Sequence, residues 1–160
     1  MARIAIVGCG VVGSSWALVF SRAGFDVAVW DAVPAAVEQT LAFVRSACES
    51  RSQTGLVEES ADVICARLHP CETLEDALAG VDYVQESAPE RVEIKRELYK
   101  RLDAIAAPGT VLASSTSGLP ASSFTEELSN RARCLVVHPI NPPHLIPLVE
   151  LVPAPWTDPA

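Results

Sequence analysis

The stretch Arg3-Ile4-Ala5-Ile6-Val7-Gly8-Cys9-Gly10-Val11-Val12-Gly13 decides the fold. Ile4 to Val7 is a short apolar run of the kind that forms a buried strand. It passes without a spacer into Gly8-x-Gly10-x-x-Gly13, which opens a helical pattern. Each glycine answers a separate demand of one turn. Gly8 permits the tight reversal after the strand. Gly10 leaves no Cβ between the backbone and an approaching diphosphate. Gly13 lets helix and strand pack closely. With Val11 and Val12 between them, these positions set a helix N-terminus, with its free N–H groups and partial positive charge, toward phosphate oxygens.

The spacing downstream predicts a helix over Val11–Ala23, with Trp16, Val19 and Phe20 on one face and Gly24 as its stop. Asp26–Trp30 reads as a second strand. Asp31 ends it, 18 residues after Gly13. A carboxylate there accepts hydrogen bonds from adenosine ribose hydroxyls. Ala32, Val33 and Pro34 include no Arg or Lys to meet a 2′-phosphate, so NAD is favoured over NADP. FAD shares the fingerprint and stays as an alternative, as does a purely structural use of the glycines.

Pro34 suits the first turn of a second helix running to about Ser50. Residues 51–62 read as a turn and a short surface helix. Strands are expected at Val63–Arg67, Val81–Gln85, Thr110–Ser114, Cys134–Val137 and Leu148–Val152. Helices are expected at Leu74–Ala79, Glu90–Ala106 and Pro120–Leu128. In the helix from Glu90, Ile94, Leu98, Leu102 and Ile105 line one side. Strands alternating with helices mean an α/β fold, a doubly wound, mostly parallel sheet of Rossmann type with helices on both faces. Seven of the 12 prolines fall in the last 22 residues, which marks an extended edge region. The expected division is a nucleotide-binding domain over residues 1–152. Residues 153–160 then begin a linker to a helical C-terminal domain that is missing from the sequence.

Composition narrows the partners. The 160 residues carry a formal net charge of −8, with 49% hydrophobic and 20% charged residues. That is a globular composition, and its acidic balance argues against nucleic acid. No run approaches the roughly 18 apolar residues of a membrane span, and no targeting segment precedes Arg3. Five dispersed cysteines, none in a Cys-x-x-Cys pair, suit reduced thiols used for packing and a cytoplasmic location. No metal site is expected, because Cys134, His138 and His144 lack the close pairing of tetrahedral ligands. His69 is expected at the surface, and His144 near the substrate. Trp16 and Trp30 should serve the core or the cofactor side.

A second group of residues closes later strands. Ser114-Ser115-Thr116-Ser117 ends one strand, and His138-Pro139-Ile140-Asn141-Pro142-Pro143 ends the next. Glu150 follows His138 by twelve residues. In an open α/β sheet, ligands sit beyond the carboxyl ends of the strands, so Ser117 and His138 should face the nucleotide crevice. An imidazole there, with a carboxylate in the following strand, suits general acid/base work near neutral pH.

On these residues the chain resembles the 3-hydroxyacyl-CoA dehydrogenases, over essentially the whole of their N-terminal NAD-binding domain. Ser117, His138, Asn141 and Glu150 fall where that family carries its strand-end Ser, its His-x-x-Asn-Pro turn and its Glu. Glu90 and Lys95 look like the family's cofactor-side pair. His-Pro-Ile-Asn-Pro-Pro-His-Leu-Ile-Pro-Leu-Val-Glu is more similar to the branch containing lambda-crystallin and L-gulonate 3-dehydrogenase. The resemblance implies NAD across Gly8 to Gly13, with Asp31 on the ribose and Glu90, Lys95 and Ser117 toward the nicotinamide. It implies that His138 removes a proton from a secondary hydroxyl, that Glu150 orients it, and that Ser117 and Asn141 bond around the reacting oxygen. The implied substrate is a small hydroxy acid or an acyl-CoA. The absent domain would complete the cleft and a homodimer. Two other readings stay open: a non-catalytic nucleotide-binding or structural module, and a dehydrogenase of the 3-hydroxyisobutyrate type, whose catalytic Lys lies in its second domain.

Overall fold

In the computed structural model of the chain, residues 2–52 and 59–159 are described. Seven strands form one sheet in the order β3-β2-β1-β4-β5-β6-β7. They are β1 (Arg3–Val7), β2 (Asp26–Trp30), β3 (Leu68–Pro70), β4 (Tyr83–Glu86), β5 (Val111–Ser114), β6 (Cys134–Pro139) and β7 (Val149–Pro153). The helices are α1 (Val11–Arg22), α2 (Pro34–Ser52), α3 (Ala61–Cys65), α4 (Leu74–Leu78), α5 (Val92–Ile105) and α6 (Ser122–Thr125). The first six strands pair in parallel, and β7 returns antiparallel to β6. This is the doubly wound α/β architecture that the alternation of patterns implies.

The central strands are apolar because both of their faces are covered. Ile4, Ala5, Ile6 and Val7 are all buried, and two core clusters lie on opposite faces of the sheet. One gathers Ile6, Leu18, Val29, Val44 and Ile64 beneath α1 and α2. The other gathers Val84, Tyr99, Leu102, Leu112 and Phe124 beneath α5 and α6. Each large aliphatic side chain so buried contributes roughly 1.5–3 kcal/mol.

The strand expected at Val63–Arg67 is instead α3 followed by β3. The Ser60 hydroxyl accepts from the Val63 N–H, Asp62 sits in the first turn, and this capping starts a helix in the β-branched run. Only Ile64 of that helix is buried, while Val63 is exposed. The strand falls three residues later as a sheet edge, which explains why it tolerates Pro70. Of the segment expected as a turn over 51–62, positions 53–58 lie outside the described residues. The helix expected over Pro120–Leu128 contracts to the four residues of α6. On α5 the inward stripe is Lys95, Tyr99 and Leu102, rotated from the expected apolar side. Ile94 and Leu98 are partly exposed and line a cleft.

Candidate functional site

The glycine turn has the shape its spacing implies. Gly8 has φ +100°, and its N–H donates to the Trp30 carbonyl at 2.9 Å. A Cβ on Gly13 would lie 1.8 Å from the Gly8 carbonyl oxygen, so the helix can approach the strand only as glycine. A Cβ on Gly10 would meet nothing within 4 Å. Gly10 is the N-cap of α1, no side chain caps the helix, and no acidic residue occupies its first turn. The N–H groups of Val11, Val12 and Gly13 therefore lie at an open, positively polarised helix end, which fits a diphosphate.

Asp31 does more than its position at a strand end suggests. Its Oδ2 accepts the Cys9 N–H at 2.7 Å, and its Oδ1 accepts the Val33 N–H at 2.8 Å. One carboxylate thus fixes the glycine turn and the entry to α2, while unused lone pairs remain for ribose hydroxyls. Beside it runs a cleft of about 660 Å³ lined by Gly8, Gly10, Trp30, Asp31, Ile94 and Leu98. That volume suits an adenosine-sized group. Trp30 belongs to this cleft, whereas Trp16 is buried against Phe20. A cation also reaches the cleft wall from far along the chain. The Arg101 guanidinium lies 5.9 Å from the Trp30 ring centroid. Cys9, inside the turn, is buried, and its thiol is pushed up to about 12 by that burial, so it serves as packing.

Across the turn, a second recess of about 220 Å³ is lined by Val12, Ser87, Glu90, Lys95, Thr116 and Ser117. Ser87 and Ala88 line both recesses, so one extended ligand can run from one to the other. Glu90 and Lys95 meet here, but largely to hold the protein itself. Lys95 is 1% exposed and donates to Glu86 at 2.7 Å. Its distance to Glu90 is 3.6 Å. Glu86 also accepts from the Ala88 N–H at 2.6 Å and the Ser114 hydroxyl at 2.5 Å. Glu90 precedes α5 rather than belonging to it, which frees its carboxylate to accept the Thr116 hydroxyl and the N–H groups of Ser117 and Gly118. Burial pushes the Glu90 carboxyl up, but these hydrogen bonds and the Lys95 charge outweigh it and leave it below the usual carboxylate range.

Sequence reasoning missed Glu86 and Gln85. Gln85 is fully buried and donates to the Ser115 hydroxyl at 2.7 Å and to the Val137 carbonyl at 3.3 Å. Ser115 in turn lies 2.9 Å from the Ser87 hydroxyl. The available signal was a polar pair, Gln85-Glu86, ending an otherwise apolar strand.

His138 and Glu150 are brought together by the β6–β7 hairpin. They are direct cross-strand partners, and Nδ1 of His138 lies 2.8 Å from Oε2 of Glu150. An ionised carboxylate only accepts, so Nδ1 carries the proton of this hydrogen bond and Nε2 is the ring nitrogen left for another partner. Ser117 and Asn141 are exposed and give no side-chain hydrogen bond to this pair. Nδ1 of His144 lies 3.0 Å from the Ser15 hydroxyl. Among the described residues, no three His, Cys, Asp or Glu side chains converge as a metal site would need. No helix among them is long and apolar enough to cross a membrane.

Residues 3–160 match the family described as 3-hydroxyacyl-CoA dehydrogenase, NAD binding domain. The chain is 45% identical to L-carnitine dehydrogenase of Streptomyces griseus, over 99% of this chain and 46% of that protein. It is 40% identical to lambda-crystallin of Oryctolagus cuniculus, over 98% of this chain and 50% of that protein. The 3-hydroxybutyryl-CoA dehydrogenase of Escherichia coli K12 superposes with a TM-score of 0.94 at 28% identity, covering 99% of this chain and 34% of the other. The chain thus spans about half the length of the curated relatives it matches.

Proposed function

The chain belongs to the 3-hydroxyacyl-CoA dehydrogenase NAD-binding domain family, and from that premise we propose that it is the NAD-binding part of an enzyme that oxidises the 3-hydroxyl of a 3-hydroxyacyl-CoA or a 3-hydroxy acid. One observation carries the chemistry: the His138–Glu150 pair, 2.8 Å apart, on the strand end beyond the glycine turn and Ser117. Nε2 of His138 takes the proton of the substrate hydroxyl. Glu150 holds the ring by its Nδ1–H and stabilises the imidazolium that forms. NAD, when bound, supplies the hydride acceptor. Gly8 to Gly13 with Val11 and Val12 hold the diphosphate, and Asp31 the ribose. Glu90, Lys95 and Ser117 shape the far recess, and Asn141 bonds to the reacting oxygen.

The relatives' names support a small 3-hydroxy acid as readily as an acyl-CoA, since L-carnitine is itself a 3-hydroxy acid. Residues 1–152 form the nucleotide domain in this reading. A further domain covers the apolar edge at Leu148, Leu151 and Val152, which are 57%, 65% and 47% exposed, and supplies the dimer contacts. The likeness to lambda-crystallin favours a second reading, a scaffold kept for bulk or nucleotide binding alone.

Calorimetry with NADH and NADPH tests the cofactor half, and NADH should bind more tightly. In protein extended by the remainder of its relatives' length, His138→Ala should lower turnover by about 10²–10⁴-fold while NADH affinity stays nearly unchanged. Full activity in that variant would refute the His/Glu assignment. No activity in any extended form, with NADH still bound, would favour the scaffold.

A further inference from the structure

The His138–Glu150 hairpin overhangs the sheet. Pairing of β6 with β5 ends at Ser114↔Val136, whereas pairing with β7 continues through His138 to Pro139. The ladder therefore fixes His138 against Glu150 but not the pair against the glycine helix. Beside the packing of Val137 in the core cluster under α1, two hydrogen bonds help to bridge that gap. One is the Gln85 amide on the Val137 carbonyl at 3.3 Å. The other comes from the loop of residues 140–148 between the two strands. There Nδ1 of His144 lies 3.0 Å from the hydroxyl of Ser15, a residue of α1 that is 1% exposed.

The direction of that hydrogen bond follows from proton counting. The single hydroxyl hydrogen of Ser15 is donated to the Val11 carbonyl at 2.9 Å. Ser15 Oγ must then accept, so His144 donates through Nδ1–H. On its other side the imidazole packs edge-on to Phe43 of α2, with ring centroids 5.5 Å apart. The loop is closed internally by Ile140 N–H to the Leu148 carbonyl at 3.1 Å and by Leu145 N–H to the Pro142 carbonyl at 3.0 Å. It therefore transmits a fixed tip to a fixed base.

We propose that His144 is a positioning residue: it ties the catalytic hairpin to the dinucleotide-binding helix and so sets the distance from His138 to the nicotinamide. The assignment rests on the functional reading above, and its tests separate the two. The variants are His144→Ala, Ser15→Ala, their combination, and His144→Asn, whose side-chain N–H can take the place of Nδ1–H. Amide exchange at Ile140 and Leu145 in the chain should accelerate about five- to tenfold in His144→Ala, the scale of one neutral hydrogen bond. Ser15→Ala should match it, the double variant should add little, and His144→Asn should restore slow exchange. In the NADH complex, a nuclear Overhauser contact between the nicotinamide C4 protons and the His138 ring should weaken in His144→Ala and return in His144→Asn. NADH affinity should hold throughout. Unchanged exchange and an unchanged contact in His144→Ala, or a silent Ser15→Ala, overturn the tether. A contact missing already from the unsubstituted chain overturns the functional reading, and this role with it.

Discussion

The glycine turn and the His138 hairpin, which the proposed function assigns to one crevice, are built on opposite principles. The turn is set by steric necessity and by backbone groups. Gly13 tolerates no methyl, Asp31 holds two main-chain N–H groups, and Glu86 and Lys95 are fully enclosed beneath it. The hairpin is an antiparallel edge with every residue of β7 exposed, and the chemistry proposed for it rests on one side-chain pair. The cofactor half has its position over-determined from several strands. The half proposed to be catalytic has fewer supports among the described residues, so each one matters more.

The largest way to break this contrast lies beneath the turn. Lys95→Met strands the buried Glu86 carboxylate and should destabilise the chain by about 3–5 kcal/mol in urea unfolding. Adding Glu86→Gln should recover most of that loss, because the uncompensated charge is gone. Equal instability of the single and double variants would show that the pair is not what holds this region.

A methyl group placed at two glycines sharpens the comparison at smaller scale. Gly13→Ala should lose about 3 kcal/mol, since the clash is with backbone that cannot rotate away. Gly10→Ala should lose less than about 1 kcal/mol, yet weaken NADH binding, because its methyl projects where the diphosphate passes. A Gly10→Ala chain that binds NADH normally would remove the phosphate role from that turn.

The smallest effect belongs to the hairpin. Leu151→Ser, at a residue 65% exposed, should change stability by no more than about 0.5 kcal/mol. A loss above 2 kcal/mol would mean that the edge is packed more firmly than its exposure implies.

The parts of this design that depend on short-range rules are readable from sequence. The strand–glycine–helix unit, Asp31 and the His138–Glu150 spacing each follow from chain geometry over a few residues or one hairpin. What escaped is tertiary. Val63 to Cys65 carried a β-branched pattern, but a Ser60 cap decided for helix. Lys95 looked like a group offered to a ligand, and only the fold discloses that Glu86, nine residues earlier, claims it. The Arg101 contact with Trp30 joins residues no local pattern could pair. Ser117 lines the far recess, whereas Asn141 is carried to that end of the sheet by strand order, and neither side chain hydrogen-bonds the His138–Glu150 pair.

The hairpin's pairing has one more consequence. His138 and Glu150 are held opposite each other by strand register, and neighbouring positions on β7 present alternate faces. A slip of one residue would therefore carry the carboxylate through the sheet to the far side, rather than leave it slightly misplaced. Under the proposed role of the pair, proton-transfer competence would be binary: a molecule that zips its final edge wrongly would be not a slow catalyst but an inert one, and the specific activity of a population of the extended enzyme would count its correctly zipped members.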